Sequence, residues 1–135
     1  MKESVLFCDT SFFFAALSAA DPNHAKALNL LSINKKAELA TTWDIVGETV
    51  TLLRYRMGYP SAIDFLIKVK PGLKLVPCDN SMREEAERIF KKFSRDKKLS
   101  FCDCLSFVVL TLLLPDVPVL TFDGDFRQFG FRAPG

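Results

Sequence analysis

A chain of 135 residues and 15.2 kDa is long enough for one full hydrophobic core, so a single domain spanning 1–135 is expected. Its 49% apolar and 25% charged residues are those of an ordinary globular protein, and the net charge of +2 is too small to mark a nucleic-acid binder by its sum. Cysteines at the irregular positions 8, 78, 102 and 104 exclude a disulfide framework, and the longest apolar stretch, Cys104 to Leu114, falls short of the ~20 residues of a membrane span.

The first apolar run, Ser4 to Cys8, reads as a strand. Asp9 interrupts it, which argues against a secretory leader and for a cytoplasmic protein with no membrane partner. Thr10 or Ser11 then caps a helix through Phe12 to Leu17. Asp21-Pro22 starts the next helix, with Asp as cap and Pro in the first turn, carrying Ala25, Leu28 and Leu31. A short strand near Glu38 to Thr41 follows. Val46, Val50, Leu53 and Met57 recur at helical spacing and predict a helix from Trp43 to Met57. Tyr59-Pro60 opens another, which ends near Pro71-Gly72.

Leu73 to Cys78 reads as the third strand. Ser81 and Glu84 form a capping-box pattern ahead of a helix that turns Met82, Ala86, Ile89, Phe90 and Phe93 inward. Ser100 and Asp103 repeat that pattern before an apolar helix ending at Leu114-Pro115. Val117 to Phe122 is the fourth strand, and Phe129 to Arg132 reads as a short edge strand. Apolar strands alternating with helices predict an α/β fold around a buried, mostly parallel sheet.

Ligands of open α/β sheets bind at the carboxyl ends of the strands. Asp9 and Asp123 both stand just past such an end, Asp103 opens a helix, and Glu48 lies at the border of an apolar helical arc beside Ile45 and Leu52. Gathered together, these carboxylates cannot all stay ionised without a cation between them. Each residue taken singly also has a structural reading: Asp103 as the partner of Ser100 in a cap, Asp9 and Asp123 as turn or cap residues, Glu48 as a solvated helix residue. Asp125 reads as a supporting group or a turn residue, and Asp79, beside Asn80 and Ser81, as a turn and cap.

The residues and their order resemble the PIN-domain family of metal-dependent nucleases, which includes the VapC-type toxins. The matching pieces are Asp9-Thr10-Ser11 after the first strand, Glu48 in the run from Gly47 to Arg54, Asp103 in the run from Ser100 to Leu105, and Leu120-Thr121-Phe122-Asp123-Gly124-Asp125-Phe126. The resemblance covers nearly the whole chain. Cys102 and Cys104 stand around Asp103 where family members commonly carry small apolar residues.

The resemblance implies a three-layer α/β/α sandwich with a central sheet of four to five strands and an endoribonuclease using Mg²⁺ or Mn²⁺. It assigns catalysis to Asp9, Glu48, Asp103 and Asp123 and metal binding to Asp9, Asp103 and Asp123, with Thr10, Ser11, Thr121 and Asp125 in support. It also implies an RNA substrate, a cognate antitoxin protein and a homodimer, and the short length fits the toxin of a type II pair. For substrate phosphates, Arg54, Arg56, Lys97 and Lys98 are the candidate contacts, the last two at the end of the basic run that begins at Arg88. That run also reads as a solvated helix face. Phe12 to Phe14 and Phe126 to Phe131 read as core rather than as base-stacking surface.

Other readings stay open at this point. A catalytically silent PIN fold that binds RNA or protein, an RNA-processing nuclease outside a toxin pair, and a DNA nuclease or phosphatase on a similar sheet all use the same pattern. A thiolate–zinc site at Cys8, Cys102 and Cys104 is disfavoured, because no Cys-x-x-Cys pair exists and the single histidine, His24, reads as a surface helix residue.

Overall fold

The computed structural model describes residues 4–134. Its strands are β1 (Val5–Cys8), β2 (Glu38–Thr41), β3 (Lys74–Leu75) and β4 (Val119–Leu120), all parallel, in the order β3-β2-β1-β4. Between them run α1 (Thr10–Leu17), α2 (His24–Ile33), α3 (Trp43–Met57), α4 (Tyr59–Asp64), α5 (Asn80–Phe93) and α6 (Phe101–Leu112), and α7 (Asp125–Gln128) follows β4. Parallel strands joined through helices cross over right-handedly. The chain moves one way from β1 to β2 to β3, then jumps back past β1 to β4, so the last crossover lies on the opposite face of the sheet. The packing agrees: α1 contacts α2 and α3, and α3 contacts α4, whereas α5 and α6 pack on each other. The result is an α/β sandwich, and its direction reverses between β1 and β4. That reversal is where open α/β sheets bind their ligands, outside the carboxyl ends of the strands.

Strand and helix positions follow the sequence expectations, with instructive differences at their ends. The outer strands are shorter than the apolar runs that suggested them. Pro118 has no N–H to donate, so β4 joins the sheet only through its carbonyl, which accepts from Phe7 N at 2.9 Å, and through the two residues after it. Val76 N still reaches Thr41 O at 2.8 Å before Pro77 ends the third strand. The edge strand expected at Phe129 to Arg132 is instead a tight turn: Gly130 takes φ 91°, Phe131 N bonds Phe126 O, and one hydrogen bond from Val119 N to Arg132 O is all that continues the ladder.

Helix caps differ too. Asp9, not Thr10 or Ser11, caps α1, accepting from Phe12 N at 3.0 Å. Asp79 caps α5 in the same way through Met82 N at 2.9 Å, in place of a Ser81–Glu84 box, and Ser81 donates to the Asp79 carboxylate. In both places the carboxylate has lone pairs for the backbone and for a hydroxyl two residues on, which a serine cap lacks. Asn23 precedes α2, while Asp21 closes the turn before it by accepting from Asn23 N. The Ser100–Asp103 box stands as expected. Beyond α4 the helical path widens into a π turn at Phe65–Val69 and a 3-10 turn at Lys70–Gly72, where Pro71 cannot continue α-helical bonding.

One core runs through both faces of the sheet. Every residue of α6 from Cys104 to Leu110 is buried, as are Phe7, Cys8 and Leu120 beneath it. Burying a Leu or Phe contributes about 1.5–3 kcal/mol each. Phe107 packs on Phe126, Phe129 and Phe131 at ring separations of 5.1, 4.8 and 5.4 Å, which fastens the C-terminal segment to α6. Both phenylalanine-rich segments are therefore core. His24 is only half-buried and its Nδ1 lies 2.8 Å from Ala15 O, tying α2 to α1 rather than standing free on the surface. Among the described residues, no helix is long and apolar enough to cross a membrane.

Candidate active site

Asp9 leaves the end of β1 buried, with 4% of its surface exposed, and both carboxylate oxygens are engaged. Oδ1 accepts from Phe12 N and from Ser11 Oγ at 2.8 Å, and Oδ2 accepts from Thr121 Oγ1 at 2.6 Å. Thr121 stands at the end of β4, the strand beside β1, so this bond spans the reversal point of the sheet. The same Thr121 oxygen accepts from Asp123 N at 2.9 Å, and Ser11 Oγ accepts from Phe122 N at 2.9 Å. Two hydroxyls thus set the loop after β4 against the loop after β1.

That loop presents Asp123 and Asp125, with Asp125 N donating to Asp123 Oδ1 at 3.0 Å. Asp103 reaches the same place from the first turn of α6. One carboxylate oxygen from each of Asp103, Asp123 and Asp125 lies within 4.8 Å of the others. The tight trio expected from the sequence was Asp9, Asp103 and Asp123. Asp103 and Asp123 of that set are joined here by Asp125, while the Asp9 oxygens accept from Ser11, Phe12 N and Thr121. Glu48, exposed on α3, is tethered to the cleft by Thr10 Oγ1, which donates to its Oε1 at 2.5 Å.

The electrostatics show the crowding. Burial pushes Asp9 up to about 6, opposed by its bonds from Thr121, Phe12 N and Ser11 and reinforced by Asp123. Asp103 is also raised to about 6, first by burial, with Asp123 and Asp9 adding to it against the Ser100 N–H. Asp125 is raised by burial and by Asp123. The Cys102 thiol is held far above its ordinary range by burial first, and further by Glu48, Asp103, Asp44 and Asp9. All-oxygen donors packed this closely suit a hard divalent cation. The grouping contains no thiol, and all four cysteines are free, which leaves the zinc reading without support.

A family model for the PIN domain matches residues 6–132 of this chain. The chain belongs to the PIN-domain family. It is 30% identical over 128 residues to the 23S rRNA-specific endonuclease VapC20 of Mycobacterium tuberculosis, in both the CDC 1551 / Oshkosh and ATCC 25618 / H37Rv strains, covering 94% of this chain and 95% of the relative. The crystal structure of Mycobacterium tuberculosis VapC20, described as a sarcin-ricin loop cleaving toxin, superposes with a TM-score of 0.81 at 29% identity, over 93% of this chain and 95% of that one.

On this PIN-domain edge the basic candidates fall in different places. Lys97 sits near Asp125, whose carboxylate it favours, and donates to Gln128 Oε1 at 2.6 Å. Lys98 is exposed beside it. Arg54 and Arg56 are exposed on α3, about 9 and 12 Å along the helix axis from Glu48. The Arg56 guanidinium lies 5.8 Å over the Phe14 ring, on the α1 side. Two charged residues of the cleft were missed in the sequence. Asp44 lies one turn before Glu48 on α3, a spacing that was there to be read. Arg83 pairs with it at 3.2 Å from α5, and nothing in the sequence pointed across the 39 residues between them.

Proposed function

We propose that this protein is an endoribonuclease that hydrolyses RNA phosphodiester bonds with Mg²⁺ or Mn²⁺, acting as the toxin of a type II toxin–antitoxin pair. What supports the reading most is the grouping of Asp103, Asp123 and Asp125 over buried Asp9 at the sheet's reversal point, in a chain whose relative is named a 23S rRNA-specific endonuclease.

Asp103, Asp123 and Asp125 are the residues that would hold the ion, with Asp9 bracing the loop through Thr121. When bound, the ion supplies positive charge at the phosphoryl oxygens and activates water for attack. Glu48 has one oxygen fixed by Thr10 and a second with which to accept the proton of the attacking water. Asp9 acts in two ways: its carboxylate orients the β4 loop, and its charge adds to the field that draws the cation. Lys97 at the Asp125 end, with Lys98 beside it, offers positive charge to the RNA backbone.

A toxin of this class needs a protein antitoxin to silence it. Leu17, Met57, Tyr55, Tyr59 and Ile67 are exposed on α1, α3, α4 and the turn that follows, an apolar surface for such a partner, and the active form is a homodimer.

The test is cleavage of a mixed single-stranded RNA, and of matching DNA, by purified protein with Mg²⁺ or Mn²⁺ and with EDTA, beside Asp9→Asn. RNA cutting that needs the cation and is lost in the variant is the expected result. Undiminished cutting by folded Asp9→Asn protein would overturn the site assignment.

A further inference from the structure

The cleft does not end at Glu48. In sheet order from β4 to β3, the segments that follow the strands carry Asp123 and Asp125, then Asp9, then Asp44 and Glu48, and last Arg83. Neighbouring strands are about 4.8 Å apart, so the end of β3 lies roughly 10 Å from the end of β1. Arg83 projects from the first turn of α5, and its Nη1 donates to Cys78 O at 2.7 Å while Nη2 meets Asp44 Oδ1 at 3.2 Å. Asp44 is one helical turn from Glu48, so the ion pair at 3.2 Å brings the guanidinium to the segment of α3 that carries the cleft glutamate.

We propose that Arg83 forms a phosphate-binding subsite at the β3 end of this edge, gripping an RNA backbone phosphate that flanks the one being cleaved. This rests on reading the cleft as a ribonuclease site. A guanidinium has five N–H donors, of which two are used here, leaving three for phosphate oxygens. The side chain keeps 40% of its surface exposed, so a ligand can reach it. Its two tethers hold the planar fork in place before RNA arrives, which lowers the ordering cost of binding. A polyanion laid along a row of carboxylates needs cations where the row stops; Lys97 stands at one end and Arg83 at the other. The other ion pairs among the described residues, Lys68–Asp64 and Arg88–Glu85, join neighbours one turn apart, whereas Arg83–Asp44 joins two elements at the cleft. A partly exposed pair of this kind contributes little to stability.

The experiment measures binding of a short labelled single-stranded RNA to cleavage-blocked Asp123→Asn protein, with and without Arg83→Gln, across a salt series. The glutamine keeps an amide for the Cys78 carbonyl but carries no charge. Affinity is expected to fall about tenfold, and the slope of log K against log salt by about 0.7, the loss of one phosphate contact to a single strand, with the melting temperature unchanged. In cleavage-competent protein, Arg83→Gln raises KM and leaves kcat. Asp44→Asn frees Arg83 without removing its charge, so it tightens RNA binding. If Asp44→Asn instead weakens binding as much as Arg83→Gln does, Arg83 is only a strut and the subsite is overturned. Should the glutamine variant fail to fold, Arg83→Lys replaces it, with the salt slope kept and the affinity reduced; an undiminished affinity overturns the proposal. Parent protein that cleaves RNA while the Arg83 variants bind like their background refutes the subsite alone. Parent protein that neither binds nor cleaves RNA removes the ribonuclease reading and the subsite with it.

Discussion

Thr121 Oγ1 and Asp9 Oδ2 meet at 2.6 Å although 112 residues separate them in sequence, and the same threonine oxygen receives Asp123 N. One hydroxyl therefore satisfies a buried carboxylate and fixes the neighbouring aspartate's backbone. Thr121→Val keeps the shape and removes both bonds. The expected loss is about 1–3 kcal/mol of stability, the cost of leaving a buried acceptor unpaired, together with a marked fall in cleavage. Thr121→Ser restores both. Thermal melts and cleavage rates of the two variants check this, and a valine variant with parental rate and melting temperature would refute it.

The cluster also fixes how stability responds to pH. Asp9 and Asp103 have folded values near 6 against an ordinary 3.8, so the folded protein binds protons more readily than the unfolded chain between those values. In that window stability falls as pH rises. Cation-free protein is thus expected to melt at a higher temperature at about pH 5 than at about pH 7.5, as far as these two groups decide it. Adding Mn²⁺ or Mg²⁺ should stabilise more at the higher pH, and Asp9→Asn should flatten the cation-free dependence. A pH-independent melting temperature in EDTA contradicts this account.

Asp125 groups with Asp103 and Asp123, whereas the Asp9 carboxylate accepts from Ser11, Phe12 N and Thr121. Asp125→Asn is therefore expected to weaken Mn²⁺ binding by roughly tenfold or more, at least as much as Asp9→Asn. Calorimetric titration of the two variants without RNA reads this directly. Full cation affinity in Asp125→Asn would return the residue to a turn-forming role.

Phe107 bridges Phe126, Phe129 and Phe131. Phe107→Ala is expected to cost about 3–5 kcal/mol and to loosen the segment after β4, so that cleavage falls with temperature before global melting. Chemical denaturation and a temperature series of activity test the two parts separately.

Much of this was legible because the chemistry sat at element boundaries. Asp9 and Asp123 announced themselves by ending apolar runs, and the parallel pattern put both at one edge. The Ser100–Asp103 box was readable since a cap is a local interaction. What stayed hidden was non-local or a matter of competition. Asp125 was read as a supporting group, and its approach to Asp103 joins the loop after β4 to the first turn of α6, which spacing does not show. The cap readings of Asp9 and Asp79 stood beside serine and threonine alternatives, which spacing alone does not rank. Arg83 became part of the cleft only when β3 came to lie beside β2.

The reversal between β1 and β4 has a consequence for the moment of synthesis. A chain emerging from the ribosome delivers Asp9, Glu48 and Asp103 first, and Thr121, Asp123 and Asp125 after them. Until then β1 lacks its neighbour, Asp9 has no threonine to hold it, and two of the three clustered carboxylates do not yet exist. At about 5–20 residues per second, the 20 residues from Asp103 to Asp123 take roughly 1–4 seconds to be made, and for that time the trio has a single member. Placing Asp123 and Asp125 after β4 makes the grouping wait for the strand that closes the other side of β1.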